Sequence, residues 1–363
     1  MELGLFMMPQ HPPTRTLYES WERDLALLQL TDQLGYREAW IGEHITETWE
    51  NAPVPELLIA QAIKMTRQIV LGTGVTLLPL HNPINLAHRI AMLDHMAQGR
   101  FYWGVGVRSI PSDLALYGLD YTQMNGVREQ GRECLDVVLG IWAAEDGTFD
   151  YDGRYYQVHA PQMHRHLGRR LWIRPYQQPH PPIGVASTSP ESDTIGLAGE
   201  RGWWPLSSSI LQAPMLKAQW AKLEAAAAGV GRQGDRCEWR IARDIYVAET
   251  PRRAREEARE VLGKPWEQHQ FNNRQAGGIL KYHKQDPAMP DDAVSVDYML
   301  EHGWIVGDPC ECADRLNQLY DEVGGFGTVL TTTHDPDDHG LEQTSLRLLM
   351  DEVAPRLKRL GSS

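Results

Sequence analysis

Cysteine is scarce in this chain, basic charge is outnumbered, and long apolar runs are missing. The four cysteines in 363 residues, Cys134, Cys237, Cys310 and Cys312, form no CxxC pair. Four are too few to staple a chain of this length, so the expected compartment is the reducing cytoplasm. Lys and Arg number 35 against 48 Asp and Glu, a formal net charge of −13. A nucleic-acid partner is not expected, because phosphate backbones call for basic stripes. No apolar stretch reaches the roughly 18 residues that a membrane span needs, so no membrane partner is expected either. The opening Met1–Phe6 reads as a strand and lacks the basic start of a leader. Gly104-Val105-Gly106-Val107-Arg108-Ser109 lacks the third glycine of a dinucleotide fingerprint, and neither a P-loop nor a GxSxG elbow occurs.

What is present is an alternation of short β-rich runs with helical stretches, the pattern of parallel βα units. Strands are expected at 3–8, 38–43, 69–77, 101–107, 183–186, 203–206, 239–247 and 328–333, eight in all. Helices are expected between them, among them 20–34 closed by Gly35, 84–96 stopped by Gly99, and 125–142. The segment 147–158 breaks this rhythm and reads as a hairpin around Asp152-Gly153, a dipeptide suited to a type I′ turn. The stretch 264–296, rich in Gly, Pro, Asn, Gln and Asp, reads as an irregular loop and a mobile lid. The expectation is one (β/α)₈ barrel over residues 1–363 with this lid as an insertion. Twelve tryptophans serve packing or an aromatic pocket for an apolar ligand.

In such a barrel the active groups stand at the C-terminal ends of the strands. Glu43 and His44 end the second strand, Leu77 to His81 follow the third, Arg108 and Ser109 end the fourth, the run 187–194 follows the fifth, and His334 ends the last. A histidine there can act as a general base or steady a developing anion. Its neighbour Glu43 points the other way along an extended chain, and on its own serves a salt bridge. Arg108 can fork onto phosphate oxygens. Ser187, Ser189, Glu191, Ser192 and Thr194 lead into a helix whose free N–H groups suit an anion; a plain helix cap is the ordinary alternative. Pro190 is read near the first turn of that helix. His164-Arg165-His166 and the run from His334 to His339 look like ligand clusters, but each is local. No metal is expected, since a metal site would draw on several strands.

The block Gly72–Gly106, GTGVTLLPLHNPINLAHRIAMLDHMAQGRFYWGVG, resembles strands three and four of the bacterial-luciferase-like flavin monooxygenases. Ile41-Gly42-Glu43-His44 resembles their second-strand end, and Ser189-Pro190-Glu191-Ser192 their phosphate-binding turn. The stretch 49–60 and the C-terminal part, from Val306-Gly307-Asp308-Pro309 to Glu352-Val353-Ala354-Pro355, are similar to the limonene and diketocamphane monooxygenase group. The resemblance spans essentially the whole chain.

It implies His44 near flavin and substrate, Glu43 near the flavin ring, a cis peptide at Gly74-Val75 under the ring, and Arg108 on the flavin phosphate. Ser109 stands where related chains often have glycine. The implied activity is an FMNH₂- and O₂-dependent monooxygenation of an apolar small molecule, with a ketone and Baeyer–Villiger insertion as one form. The reduced flavin would come from a separate reductase, and a homodimer is expected. Alternatives are hydride transfer with the deazaflavin F420, and a non-catalytic flavin-binding homologue.

Overall fold

The computed structural model describes residues 1–144, 146–160 and 164–360. Eight parallel staves close into a barrel: β1 (Glu2–Met7), β2 (Glu38–Ile41), β3 (Val70–Thr73) extended by β4 (Thr76–Leu77), β5 (Phe101–Gly106), β8 (Ile183–Ser187), β9 (Trp204–Ser207), β10 (Arg240–Arg243) and β13 (Thr328–Thr332). β1 pairs with β13 on one side, Leu3 opposite Val329, and with β2 on the other, Leu5 opposite Ala39. Closure runs through β3 to β5, Leu71 opposite Phe101. β6 (Asp150–Asp152) and β7 (Gln157–His159) form the antiparallel hairpin, and β11 (Ile245–Val247) pairs in parallel with β12 (Ile305–Gly307).

The helices are α1 (Leu17–Leu34), α2 (Pro55–Met65), α3 (Pro83–Ala97), α4 (Pro111–Leu116), α5 (Met124–Ala143), α6 (Asp193–Arg201), α7 (Ala213–Gly229), α8 (Pro251–Ala258), α9 (Phe271–Ala276), α10 (Val296–Tyr298), α11 (Pro309–Val323) and α12 (His339–Leu348). None is long and apolar enough to cross a membrane.

Local chemistry sets the helix ends. Thr16 and Glu19 form a reciprocal capping box at the start of α1, and Gly35, at φ 88°, closes it in the left-handed region that only glycine enters freely. Asn82 accepts the N–H groups of Ile84 and Asn85 at the start of α3. Outward-facing strand residues such as Leu3, Leu71, Ile241 and Val329 pack under the helices in the main core. Inward-facing Trp40, Tyr102, Leu206, Ala242 and Leu330 fill the barrel itself, so it is a packed core with its chemistry at one end.

Five expectations are corrected. The third strand is broken at the cis peptide Gly74-Val75 into β3 and β4. The run 239–247 is also divided, at Asp244: its first part is a barrel stave, while its second leaves the barrel and pairs with β12. That last strand was hidden in a short apolar run before the cap Asp308. The hairpin has a four-residue loop, 153–156, closed from Gly153 N–H to Tyr156 O, in place of a two-residue turn. Pro190 precedes α6 by three residues and stands outside its first turn. The stretch 264–296 is largely helical rather than irregular. A nearly continuous helical run extends from Pro251 to Ala276, and Trp266, Leu280, Val294 and Val296 are buried in a second core with Tyr246 and Trp304. Tryptophan and valine anchors outweighed a polar composition there.

Candidate active site

The C-terminal ends of the staves bring together two chemically opposite clusters. The first is built on His44. Its Nδ1 lies 3.0 Å from Asp113 Oδ2 and its Nε2 3.3 Å from Glu50 Oε2. Asp113, on α4, is fully buried, and its carboxylate also accepts the N–H groups of Ile45 and Thr46 and the hydroxyls of Thr46 and Ser109. Ser109 therefore does more than alter a turn, because its hydroxyl helps to fix the carboxylate that holds His44. Burial opposes charge on the imidazole, but the Asp113 hydrogen bond and the charges of Glu50, Asp113 and Glu47 outweigh it, so the pKa of His44 is raised. Burial likewise opposes ionisation of Asp113. The bonds from His44 and Thr46 win, holding Asp113 far below the usual carboxylate range. His44 is thus oriented by Asp113 in surroundings that favour its charged form.

Glu43 points away from His44, as the extended chain requires. Its buried carboxylate accepts Leu77 N–H at 3.0 Å and lies 2.9 Å from His81 Nε2. Arg89 continues this brace, bonding His81 Nδ1 and Glu56. Between β2 and β5 stands Val75, just after the cis bond; a Cβ on Gly74 would meet Trp40, and one on Gly106 would meet Val75 at 2.9 Å. Small residues here let the chain pass close beneath the mouth.

The second cluster is cationic. The Arg108 guanidinium, exposed at the end of β5, bonds the hydroxyl of Thr188. Desolvation, then the nearby Arg128 charge, lower its pKa, so its surroundings favour an added anion. α6 begins beside it without a side-chain cap, which leaves helix N–H groups available. The predicted hydroxyls divide. Ser187 is buried, accepting from Gln219 Nε2 and donating to Ser189 O. Thr194 donates to Ala186 O and pairs with Ser192. Glu191 is exposed, with its carbonyl accepting from Lys222. Ser187 and Thr194 thus shape the turn, whereas Ser189 and Ser192 stand only partly buried on it.

The helical run 266–276 lies across the mouth. Gln270 bonds Gln10, Asn273 bonds Glu47, and His269 stacks on Trp49 with 5.2 Å between ring centroids. Phe6, Ile45, Val75 and Leu114 belong to one apolar cluster at this end. Of the other aromatic and sulfur residues near strand ends, Met7 and Trp103 are core, and Trp204 lies under Arg240 at the opposite end.

The histidine clusters have other company. His334 faces Asp244, and Asp335 bonds His11 and is salt-bridged to Arg15, with His339 on its second oxygen. His164 and His166 touch each other, ring centroids 6.0 Å apart. Sequence reasoning missed Asp113, Glu50, Arg128 and Gln219. Of these only Asp113, in the first turn after Pro111, carried any local signal.

A family model described as luciferase-like monooxygenase matches residues 1–325. The chain belongs to this family. It is 34% identical, over 98% of its length and 92% of the relative, to 4-hydroxyprotoasukamycin monooxygenase of Streptomyces nodosus subsp. asukaensis. It is 29% identical, over 99% of both chains, to 2,5-diketocamphane 1,2-monooxygenase 1 of Pseudomonas putida. Among solved structures it superposes on the oxygenating constituent of 3,6-diketocamphane monooxygenase from the CAM plasmid of Pseudomonas putida, a type II Baeyer–Villiger monooxygenase in complex with FMN. The TM-score is 0.91 at 27% identity, covering 99% of each chain. The chain is accordingly a flavin-dependent oxidoreductase of the monooxygenase class.

Proposed function

We propose that this luciferase-like monooxygenase binds FMNH₂ with its phosphate at Arg108 and the turn 187–194, and oxygenates an apolar small ketone beside His44. The observation that carries the reading is the pairing of an anion-seeking end with a proton-donating end on one barrel mouth. Arg108, the partly buried Ser189 and Ser192, and the uncapped α6 fit a phosphate. Val75 and the narrow backbone at Gly74 fit a flat ring. Bound FMNH₂ supplies the two electrons that let one atom of O₂ enter the product while the other leaves as water. A ketone becomes an ester or lactone in that balance.

The chain's own residues do the rest. The protonated imidazole of His44 donates a hydrogen bond, and a proton, to oxygen on the reacting centre, with Asp113 fixing its orientation. Phe6, Ile45 and Leu114 keep that region apolar, and the 264–296 segment acts as a lid that excludes water. The glutamate brace Glu43–His81 holds the turn on which a flavin ring would rest.

A ketone substrate draws support from the diketocamphane relatives, and a separate reductase from the absence of a dinucleotide fingerprint. A cytoplasmic setting and a homodimer belong to the same reading. The exposed apolar residues Leu57 and Met65 of α2 and Met92 and Met96 of α3 suit the dimer face. The test is oxygen uptake by the purified chain with reductase-supplied FMNH₂ and a panel of cyclic ketones. Ester or lactone formed in step with oxygen consumed is expected. Turnover with reduced deazaflavin and no oxygen uptake would replace the reading with hydride transfer.

A further inference from the structure

A cavity of about 360 Å³ lies outside the barrel. Alternation along β10 fixes its position: Ala242 faces the barrel interior with Trp40 and Leu330, so Ile241 and Arg243 face outward. The cavity opens where Arg243 meets the loop between β9 and α7, α11, and the segment carrying His283. It is separate from the mouth that holds His44 and Arg108.

Its inner wall carries two guanidinium groups with no carboxylate in ion-pair contact among the described residues. Arg243 is 6% exposed, and among the described residues its guanidinium bonds the carbonyls of Ala242 and Leu211. The adjacent Asp244 favours its charge without contacting it, because that carboxylate is held by Thr332 at 2.6 Å and His334 at 3.4 Å. Arg315 of α11 lines the same cavity and is only partly exposed. Among the described residues neither guanidinium forms a salt bridge. Burial lowers the pKa of both, that of Arg243 to about 10. His283, also on this wall, is buried with Nε2 unpartnered. A buried guanidinium satisfied only by main-chain carbonyls is costly unless an anion joins it. The remaining walls mix apolar Ile210, Leu211 and Leu319 with polar Ser209, Gln212, Gln285 and Gln318, and exposed Glu301 and Glu322 stand among the lining residues.

We propose that this cavity is a second binding site, for a small organic monocarboxylate. The carboxylate pairs with Arg243 and Arg315, and the aliphatic body lies on Ile210, Leu211 and Leu319. Glu301 and Glu322 select against more highly charged anions such as phosphate. His283 packs edge-on against Trp266, with centroids 5.2 Å apart, which joins this cavity to the segment that crosses the barrel mouth.

The test is calorimetric titration of the full-length chain with hexanoate in low-salt buffer, with inorganic phosphate as the control. Saturable one-to-one binding of hexanoate is expected, with phosphate much weaker. Arg315→Ala should weaken hexanoate binding at least about tenfold, the scale of one lost charged contact, and leave the FMN titration unchanged. Arg243→Lys keeps the charge but loses the planar fork, and should weaken hexanoate similarly. If that variant fails to fold, Arg315→Ala decides the matter alone. No saturation at tens of millimolar hexanoate, equal binding by parent and Arg315→Ala, or phosphate binding as tightly as hexanoate would each overturn the proposal.

Discussion

The two ends of the barrel mouth are built on opposite principles. At the His44 end the side chains hold one another, with the imidazole between Asp113 and Glu50 and the Asp113 carboxylate held by four further donors. At the Arg108 end the groups are less bound to one another: the guanidinium has one hydroxyl partner, Arg128 stands nearby with Asp193 at 3.5 Å, and α6 starts uncapped. A network that holds itself is set for orientation and proton transfer, whereas a loosely held cationic one is set for a ligand that brings negative charge.

The sharpest way to break the comparison is His44→Ala. Loss of general acid–base help costs about 10²–10⁴ in rate. Product formed per oxygen consumed should collapse while peroxide release rises and FMN still binds. Unchanged coupling would make His44 structural.

Asp113→Asn acts on the same end less severely. His44 has a raised pKa, so the contribution of its charged pair to stability is complete below the ordinary value of 6.5 and is lost as pH rises through the folded value. Asp113 has a lowered pKa, so its contribution is present above the ordinary value of 3.8 and is lost as pH falls through the folded one. With asparagine in place, the alkaline limb of the kcat–pH profile should move to lower pH, because His44 loses the bond that most favours its charge. Rate lost uniformly with no movement of that limb would mean that Asp113 only supports the fold.

The smallest effect belongs to the cover. Its contacts with the mouth are few, Gln270 to Gln10, Asn273 to Glu47 and His269 on Trp49, so opening there should be easier than global unfolding. Limited proteolysis should cut within 264–296 first, and FMN should slow that cut several-fold. First cuts elsewhere, indifferent to FMN, would remove the lid.

The barrel was legible because its signals are local and repeated. Strand-and-helix alternation and the stop at Gly35 announce themselves within a few residues, and the resemblance of the Gly72–Gly106 block implied the cis bond found at Gly74-Val75. The placement of His44 and Arg108 followed from their positions at strand ends. What stayed hidden depends on contacts distant in sequence. Asp113 reaches His44 across 69 residues and Gln219 reaches Ser187 across 32. The segment 264–296 misled because its polar composition masked a few buried anchors, Trp266 above all.

The central claim is that the loosely held cluster at Arg108 is a phosphate site, and comparing FMN with riboflavin tests it most directly. Both share the ring, and only FMN has the phosphate. Titrated under reducing conditions, the parent should bind FMN much more tightly than riboflavin. Arg108→Ala should weaken FMN by roughly 10- to 100-fold, the scale of a lost charged hydrogen bond, and leave riboflavin nearly unchanged. If the variant weakens both flavins equally, or neither, Arg108 does not hold the phosphate and the contrast between the two ends fails.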